Sequence, residues 1–228
     1  WSRIIPDGSR VNMKGIQYYS SLINKLHANN IEPLVTIFHW DLPQYLQDLG
    51  GWANPNIVDY YVRYADVLFE HFGDRVKQWI TFNEPSVFCG EGYGYTTKAP
   101  AIASPGVGDY LCSHHVLLSN AKAYRLYKEK YFATQQGQVG ICLNSGFNYA
   151  APNVDPMVTE KAMEFELGKY SNAIFSKDGG YPQIMIDQIG AKSRNEGRPW
   201  SRLPEMSQAD KDLIKGSADF LALNYYSS

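Results

Sequence analysis

The chain has 228 residues, 44% of them hydrophobic, which is ordinary for a globular domain and enough for one sizeable core. A formal net charge of −2, with no basic cluster beyond a few residues, sets aside nucleic acid and anionic membrane surfaces as partners. No run approaches the length of a membrane span.

Taken in order, residues 1–6 are apolar and run into Asp7-Gly8, a turn pair, so they read as the tail of a strand begun upstream. Residues 14–28 set Ile16, Tyr19, Ile23 and Leu26 at helical spacing, closed by Asn29-Asn30. Residues 31–38 are a near-continuous apolar run, as a parallel strand covered on both faces requires. Asn54-Pro55 supplies an N-cap and a first-turn proline. The helix that follows carries Ile57, Tyr61, Tyr64, Ala65, Leu68 and Phe72 on one face and stops at Gly73.

Residues 77–83 form the next strand, and 90–105, rich in Gly, Pro and Ala, read as a surface loop. A helix over 109–131 has a weaker stripe through Leu111, His115, Leu118 and Ala121. A short strand at 139–143 ends at Asn144-Ser145. Met163, Leu167, Tyr170 and Ile174 give a long helix over 157–175. Residues 177–204 are turn-rich with one helix near 183–189. Ser207 opens a capping-box-like start with Asp210 where Glu or Gln is usual, and 219–226 is the last strand. Four strands and one stub alternating with helices predict an α/β fold with a parallel sheet, in one domain without repeats. Alternation alone admits an open doubly wound sheet as well as a barrel, but no Gly-x-Gly-x-x-Gly follows any strand.

One stretch concentrates the chemistry: Trp79-Ile80-Thr81-Phe82-Asn83-Glu84-Pro85. A buried strand delivers an amide and a carboxylate side by side and then meets a proline, which ends it. In a regular pleat Asn83 and Glu84 point to opposite faces, so a shared site requires the backbone to leave the pleat here. A carboxylate at the carboxyl end of a buried parallel strand is where an α/β barrel places its chemistry; an N-capping or loop-anchoring Glu is the other reading.

Thr81-Phe82-Asn83-Glu84-Pro85 resembles the acid/base motif of family 1 glycoside hydrolases, the β-glucosidase family. Trp1-Ser2-Arg3-Ile4, Phe38-His39-Trp40-Asp41-Leu42-Pro43 and Leu223-Asn224-Tyr225-Tyr226 agree with it in the family's order. The resemblance covers essentially the whole chain. It implies a (β/α)8 TIM barrel, with this chain running from the end of the second strand through the sixth, and a retaining β-glycosidase acting on β-glucosides and related sugars. It implies no metal and no organic cofactor.

Residue by residue, Glu84 resembles the acid/base, and a neighbouring anion would keep such an acid protonated at working pH. Asn83 resembles the ligand of the sugar 2-hydroxyl, although closing a turn before Pro85 is its local alternative. His39 looks like a glycone 3-hydroxyl ligand, and Trp40 like part of the pocket wall; alone, such a His reads as a satisfied core residue. Arg3 and Tyr226 match residues that hydrogen-bond the nucleophile and keep it ionised, and Asn224 one that lines the same pocket. Without the resemblance, Arg3 is a surface charge and Tyr226 core. The family's nucleophile lies in a Thr-Glu-Asn-Gly-like segment, and none occurs here; Asn195-Glu196 sits in a polar loop. The chain therefore reads as an interior piece, inactive by itself.

Aromatic residues reach 14%, led by 17 Tyr, which suits stacking on sugars and an aromatic core alike. Glu91, Tyr93 and Tyr95 are candidates for the aglycone border. His114-His115 lacks a carboxylate at metal-ligand spacing and reads as structural. Cys89, Cys112 and Cys142 have no metal-like spacing; one disulfide stays open, and Cys142 sits in an apolar strand as a buried residue. Two other functions compete: a thioglucosidase, whose plant members resemble the family but carry Gln for the acid, and a sugar-binding or receptor-like protein that has lost catalysis. Compartment and oligomeric state do not follow from these residues.

Overall fold

The computed structural model describes residues 1–8 and 10–226. Its centre is a parallel sheet of β1 (Leu34–Phe38), β2 (Gln78–Asn83), β3 (Gln138–Asn144) and β4 (Leu221–Asn224), side by side in chain order. Consecutive parallel neighbours need a crossover between each pair, and helices supply them. The carboxyl ends of all four strands therefore lie along one edge. Phe38 pairs with Phe82, Asn83 with Cys142 and Asn144 with Asn224, so the ends of adjacent strands fall within two residues of one another.

α1 (Met13–His27) precedes β1, and the Asn12 side chain accepts from Lys14 N to cap it. α2 (Gln44–Asp48) and a 3₁₀ turn at Gly51–Ala53 follow β1. In α3 (Ile57–Phe72) the six residues of the sequence stripe are buried, and Asn54 Oδ1 accepts from Asn56 N at the start. α4 (Pro85–Cys89) leads into a π-helical turn, Gly90–Gly94. α5 (Gly108–Leu126) continues through a second π turn, Tyr127–Tyr131, into α6 (Phe132–Gln135). Past β3 run α7 (Met157–Met163), a third π turn and α8 (Lys169–Phe175), one helical run where the spacing expects one. α9 (Gln183–Asn195) outruns its expected 183–189, because Ile189 and Ser193 extend its buried face. At α10 (Gln208–Ile214) the Asp210 carboxylate accepts from Ser207 N while Ser207 Oγ accepts from Asp210 N, a complete capping box.

The core fills the space between sheet and helices. One side is aromatic: Trp1 stacks on Tyr64 at 4.7 Å, and Phe38, Trp52, Tyr61, Phe82 and Phe88 meet edge to face or stacked around it. Beneath it runs a polar chain of three fully buried residues. Thr81 Oγ1 donates to Asn120 Oδ1 at 2.6 Å, and Asn120 Nδ2 donates to Ser217 Oγ at 3.0 Å and Ser217 O at 3.1 Å. β2 is thereby tied through α5 to the turn ahead of β4.

Three expectations are corrected. Residues 1–6 are turns, not a strand tail: Ile4 N and Ile5 N both donate to Trp1 O, a local turn pattern that leaves these groups out of any ladder. The outer strands are shorter than their apolar runs. Pro33 lacks a donor ahead of β1, and the Asp219 carboxylate accepts from Val139 N just before β4 begins. Residues 90–105 are only partly a surface loop, since Gly92, Tyr93 and Gly94 are buried and Tyr93 Oη donates to Gln47 Oε1 at 2.6 Å. A Cβ at Gly92 would meet the Ala99 carbonyl oxygen at 2.5 Å, so the turn packs too tightly for a side chain. Cys89 and Cys112 form a disulfide joining α4 to α5 across 23 residues, a loop closure worth about 3 kcal/mol.

Candidate active site

Glu84 is the point where β2 stops being a strand. It has φ 49° and ψ 61°, left-handed backbone that costs a non-glycine residue roughly 1–3 kcal/mol. The ladder slips between Ile80 and Asn83, yet Glu84 N still donates to Cys142 O at 2.8 Å. Pro85 then opens α4. This break is what the adjacent amide and carboxylate require, because it swings both side chains to one side. Asn224 Nδ2 donates to Asn83 Oδ1 at 3.2 Å and to Glu84 Oε1 at 2.7 Å, so one amide touches both.

Both carboxylate bonds fall on the same oxygen. Tyr226 Oη also donates to Glu84 Oε1, at 3.1 Å, and Oε2 accepts no hydrogen bond among the described residues. That bond and the carboxylate charge raise the Tyr226 phenol pKa above its ordinary value. Glu84 and Asn83 are buried side chains at an open rim, whereas Tyr226 is 80% exposed.

From β1 come His39 and Trp40. His39 is exposed among the described residues, and its Nε2 accepts from Asn83 Nδ2 at 3.1 Å. Trp40, at φ 67°, turns its ring back so that Nε1 donates to the Asn83 carbonyl at 3.0 Å. Asn83 is thus held from both sides by Asn224 and His39, and its side chain does not close the turn before Pro85. Lys98 Nζ lies 5.4 Å from the Trp40 ring centroid and pairs with Glu91 at 3.5 Å, which brings the 90–105 segment to the rim.

Arg3 and Tyr226, expected to bond a second carboxylate, have other neighbours in this chain. Tyr226, matched to a residue that bonds a second carboxylate, donates here to Glu84. It is the carboxylate its strand end reaches in this chain. Arg3 is exposed, with its guanidinium 6.0 Å from the Tyr18 ring centroid, and takes no part in the Glu84 cluster. Tyr93 is buried beneath the rim and does not border it, while Tyr95 is exposed. Glu196 accepts from Arg198 at 2.8 Å and lies 3.2 Å from Arg202, away from any strand end.

His114 and His115 are structural. His114 Nδ1 meets Tyr181 Oη and His115 Nδ1 meets the Trp52 carbonyl; burial lowers both, His114 to about 4. Among the described residues no three His, Cys, Asp or Glu side chains are placed to share a metal. From sequence, Ser86 has no role, Asn144 reads only as a strand end and Cys142 only as a buried residue. Ser86 Oγ donates to Asn144 Oδ1 at 2.6 Å, and Cys142 Sγ lies 3.3 Å from Asn224 Oδ1. A signal was present: β2, β3 and β4 each end on Asn.

A parallel sheet backed by helices, with carboxylate, amide and imidazole gathered at the carboxyl ends of its strands, is the functional face of a (β/α)8 barrel. The chain belongs to glycosyl hydrolase family 1, whose sequence profile matches residues 1–228. It is 48% identical to Myrosinase 1 of Brevicoryne brassicae over 233 residues, covering all of this chain and 50% of that protein. The solved structure of aphid myrosinase superposes with a TM-score of 0.95 at 47% identity, over all of this chain and 50% of that one. A rice Os3BGlu6 β-glucosidase mutant, solved in a covalent complex with Glc, gives 0.91 at 37%, over all of this chain and 48% of that one. The chain thus spans about half the length of these relatives, and its four strands are part of a TIM barrel.

Proposed function

We propose that this chain carries the acid/base half of a retaining β-glycosidase site acting on O-linked β-glucosides and related sugars. The observation that carries the reading is Glu84 itself: a buried carboxylate on the barrel's functional edge, gripped on Oε1 by two donors and open at Oε2. In its protonated form Oε2 would give its proton to the glycosidic oxygen as that oxygen leaves the anomeric carbon, while a second carboxylate attacks the carbon from the other face. Deprotonated, Glu84 would then take a proton from the water that releases the sugar. The second carboxylate would come from sequence outside these 228 residues, with Arg3 and Tyr226 as the candidates to hold it ionised. The covalent Glc complex of the rice relative supports a covalent course.

Asn83 and His39 would hold the sugar, the amide at the 2-hydroxyl and the imidazole at the 3-hydroxyl, with Trp40 as the wall and Asn224 bracing the pair. Replacing His39 by Ala in the full-length protein is expected to lower kcat/KM roughly tenfold or more, the loss of a hydrogen bond that counts in the transition state. The thermal midpoint should move by only a few degrees, about the effect of one lost hydrogen bond. Normal kinetics with a midpoint lowered well beyond that would return His39 to a structural role.

The likeness to Myrosinase 1 supports a second reading, hydrolysis of S-linked glucosides. Glu84 in place of Gln favours O-glycosides, whose leaving oxygen needs the proton more. A purely sugar-binding protein is disfavoured by the intact Glu84, Asn83 and His39. The deciding experiment uses the full-length protein with an aryl β-O-glucoside and its thio analogue, following the first-formed anomer by proton NMR. Initial β-glucose from the O-glycoside is expected. Initial α-glucose, or turnover of the thioglucoside alone, would overturn the reading.

A further inference from the structure

Cys142 is the cysteine outside the disulfide, and the sequence pattern gives it no task beyond filling β3. The structure places it inside the polar cluster. It pairs with Asn83 on one side and with Ala222 on the other, and its carbonyl accepts the Glu84 amide. Its thiol, 3.3 Å from Asn224 Oδ1, donates to that oxygen, and its contact with its own neighbour, the Leu143 carbonyl, is longer at 3.9 Å. Burial first, and then the Glu84 charge, raise the thiol pKa above its ordinary value, so the sulfur keeps its proton.

The two ends of an asparagine amide have nearly the same shape and opposite hydrogen-bonding character. With Oδ1 held by the thiol, Nδ2 faces Glu84 Oε1 and Asn83 Oδ1, and both bonds are satisfied. Turned over, the amide would set its oxygen against two acceptors, one of them a carboxylate, and its NH₂ against the thiol.

We infer that Cys142 is a positioning residue, whose thiol fixes the Asn224 amide so that Glu84 is held on Oε1 and left open at Oε2. The inference rests on Glu84 being the acid. The titratable groups facing this amide are Glu84 at the end of β2, Cys142 on β3 and Tyr226 beyond β4, with His39 reached through Asn83.

The test compares Cys142→Ala and Cys142→Ser in the full-length protein, on an alkyl β-glucoside and on a dinitrophenyl β-glucoside. Cys142→Ala is expected to lose about fivefold in kcat/KM on the alkyl substrate, the worth of one hydrogen bond, and less on the activated one. The basic limb of its pH profile should move to higher pH, because the Asn224 amide that donates to the ionised acid is held less firmly. Cys142→Ser should restore both within about twofold of the parent. If Cys142→Ala does not fold, Cys142→Val against Cys142→Thr makes the same comparison, since the two are isosteric and differ in the hydroxyl. Equal kinetics in the donor and non-donor variants, or a change in thermal midpoint alone, would overturn the inference. Glu84→Gln run alongside separates the failures: full activity there removes the acid assignment and this inference with it. An inactive Glu84→Gln beside a parent-like Cys142→Ala removes only Cys142.

Discussion

Replacing Glu84 by Ala in the full-length protein is expected to lower turnover of an alkyl or disaccharide β-glucoside about 10²–10⁴-fold. The alkoxide leaving such a substrate must be protonated as the bond breaks, and Oε2 is the open position on the carboxylate. With a dinitrophenyl glucoside the leaving group needs no proton, so the loss in forming the glycosyl-enzyme should be far smaller. Azide should then raise turnover and yield a β-glycosyl azide, because it attacks the intermediate without help from a base. Equal losses on both substrates, with no azide product, would strike Glu84 from the role.

Residues 1–228 expressed on their own are expected to show no glycosidase activity and to self-associate. The activity argument is chemical. A covalent glycosyl intermediate needs a second carboxylate about 5–5.5 Å from the first, and no other described carboxylate is bonded into the Glu84 cluster. The association argument is physical. β1 and β4 are the outer strands of the sheet, each with an unpaired row of backbone donors and acceptors, and Leu34, Leu221 and Leu223 lie exposed on them. Closing a barrel removes such edges. Size-exclusion with light scattering should find oligomers or aggregate. Sustained hydrolysis of an aryl β-glucoside by an isolated monomer, abolished in Glu84→Gln, would show a nucleophile within these residues.

Four strands, their parallel order and their carboxyl ends were legible because buried parallel strands are nearly all apolar and the helices between them keep a 3.6-residue stripe. The need for a backbone break at Asn83-Glu84 was legible too, from two adjacent polar side chains before a proline. Less could be read where apolar residues serve something other than a sheet. Residues 1–6 look like strand, but Trp1, Ile4 and Ile5 plug an aromatic cluster. Gly92, Tyr93 and Gly94 look like loop, but the glycines let a π turn pack against the core. The hydrogen bonds between strand ends were invisible, since register alone decides that Asn224 meets Glu84 or that Cys142 meets Asn224. The exposure of His39 needed the fold.

The Thr81–Asn120–Ser217 chain has a consequence for motion at the site. Each member is fully buried, and each hydrogen bond spans elements far apart in sequence. Opening β2 would strand the Asn120 amide without water to replace its partner, and opening the turn before β4 would do the same. The strand that leads into Glu84 and the strand that ends in Asn224 therefore belong to one cooperative unit. Amide protons of β2, central α5 and β4 should exchange with solvent together, at the rate of that single opening, while the 146–156 segment exchanges ahead of them.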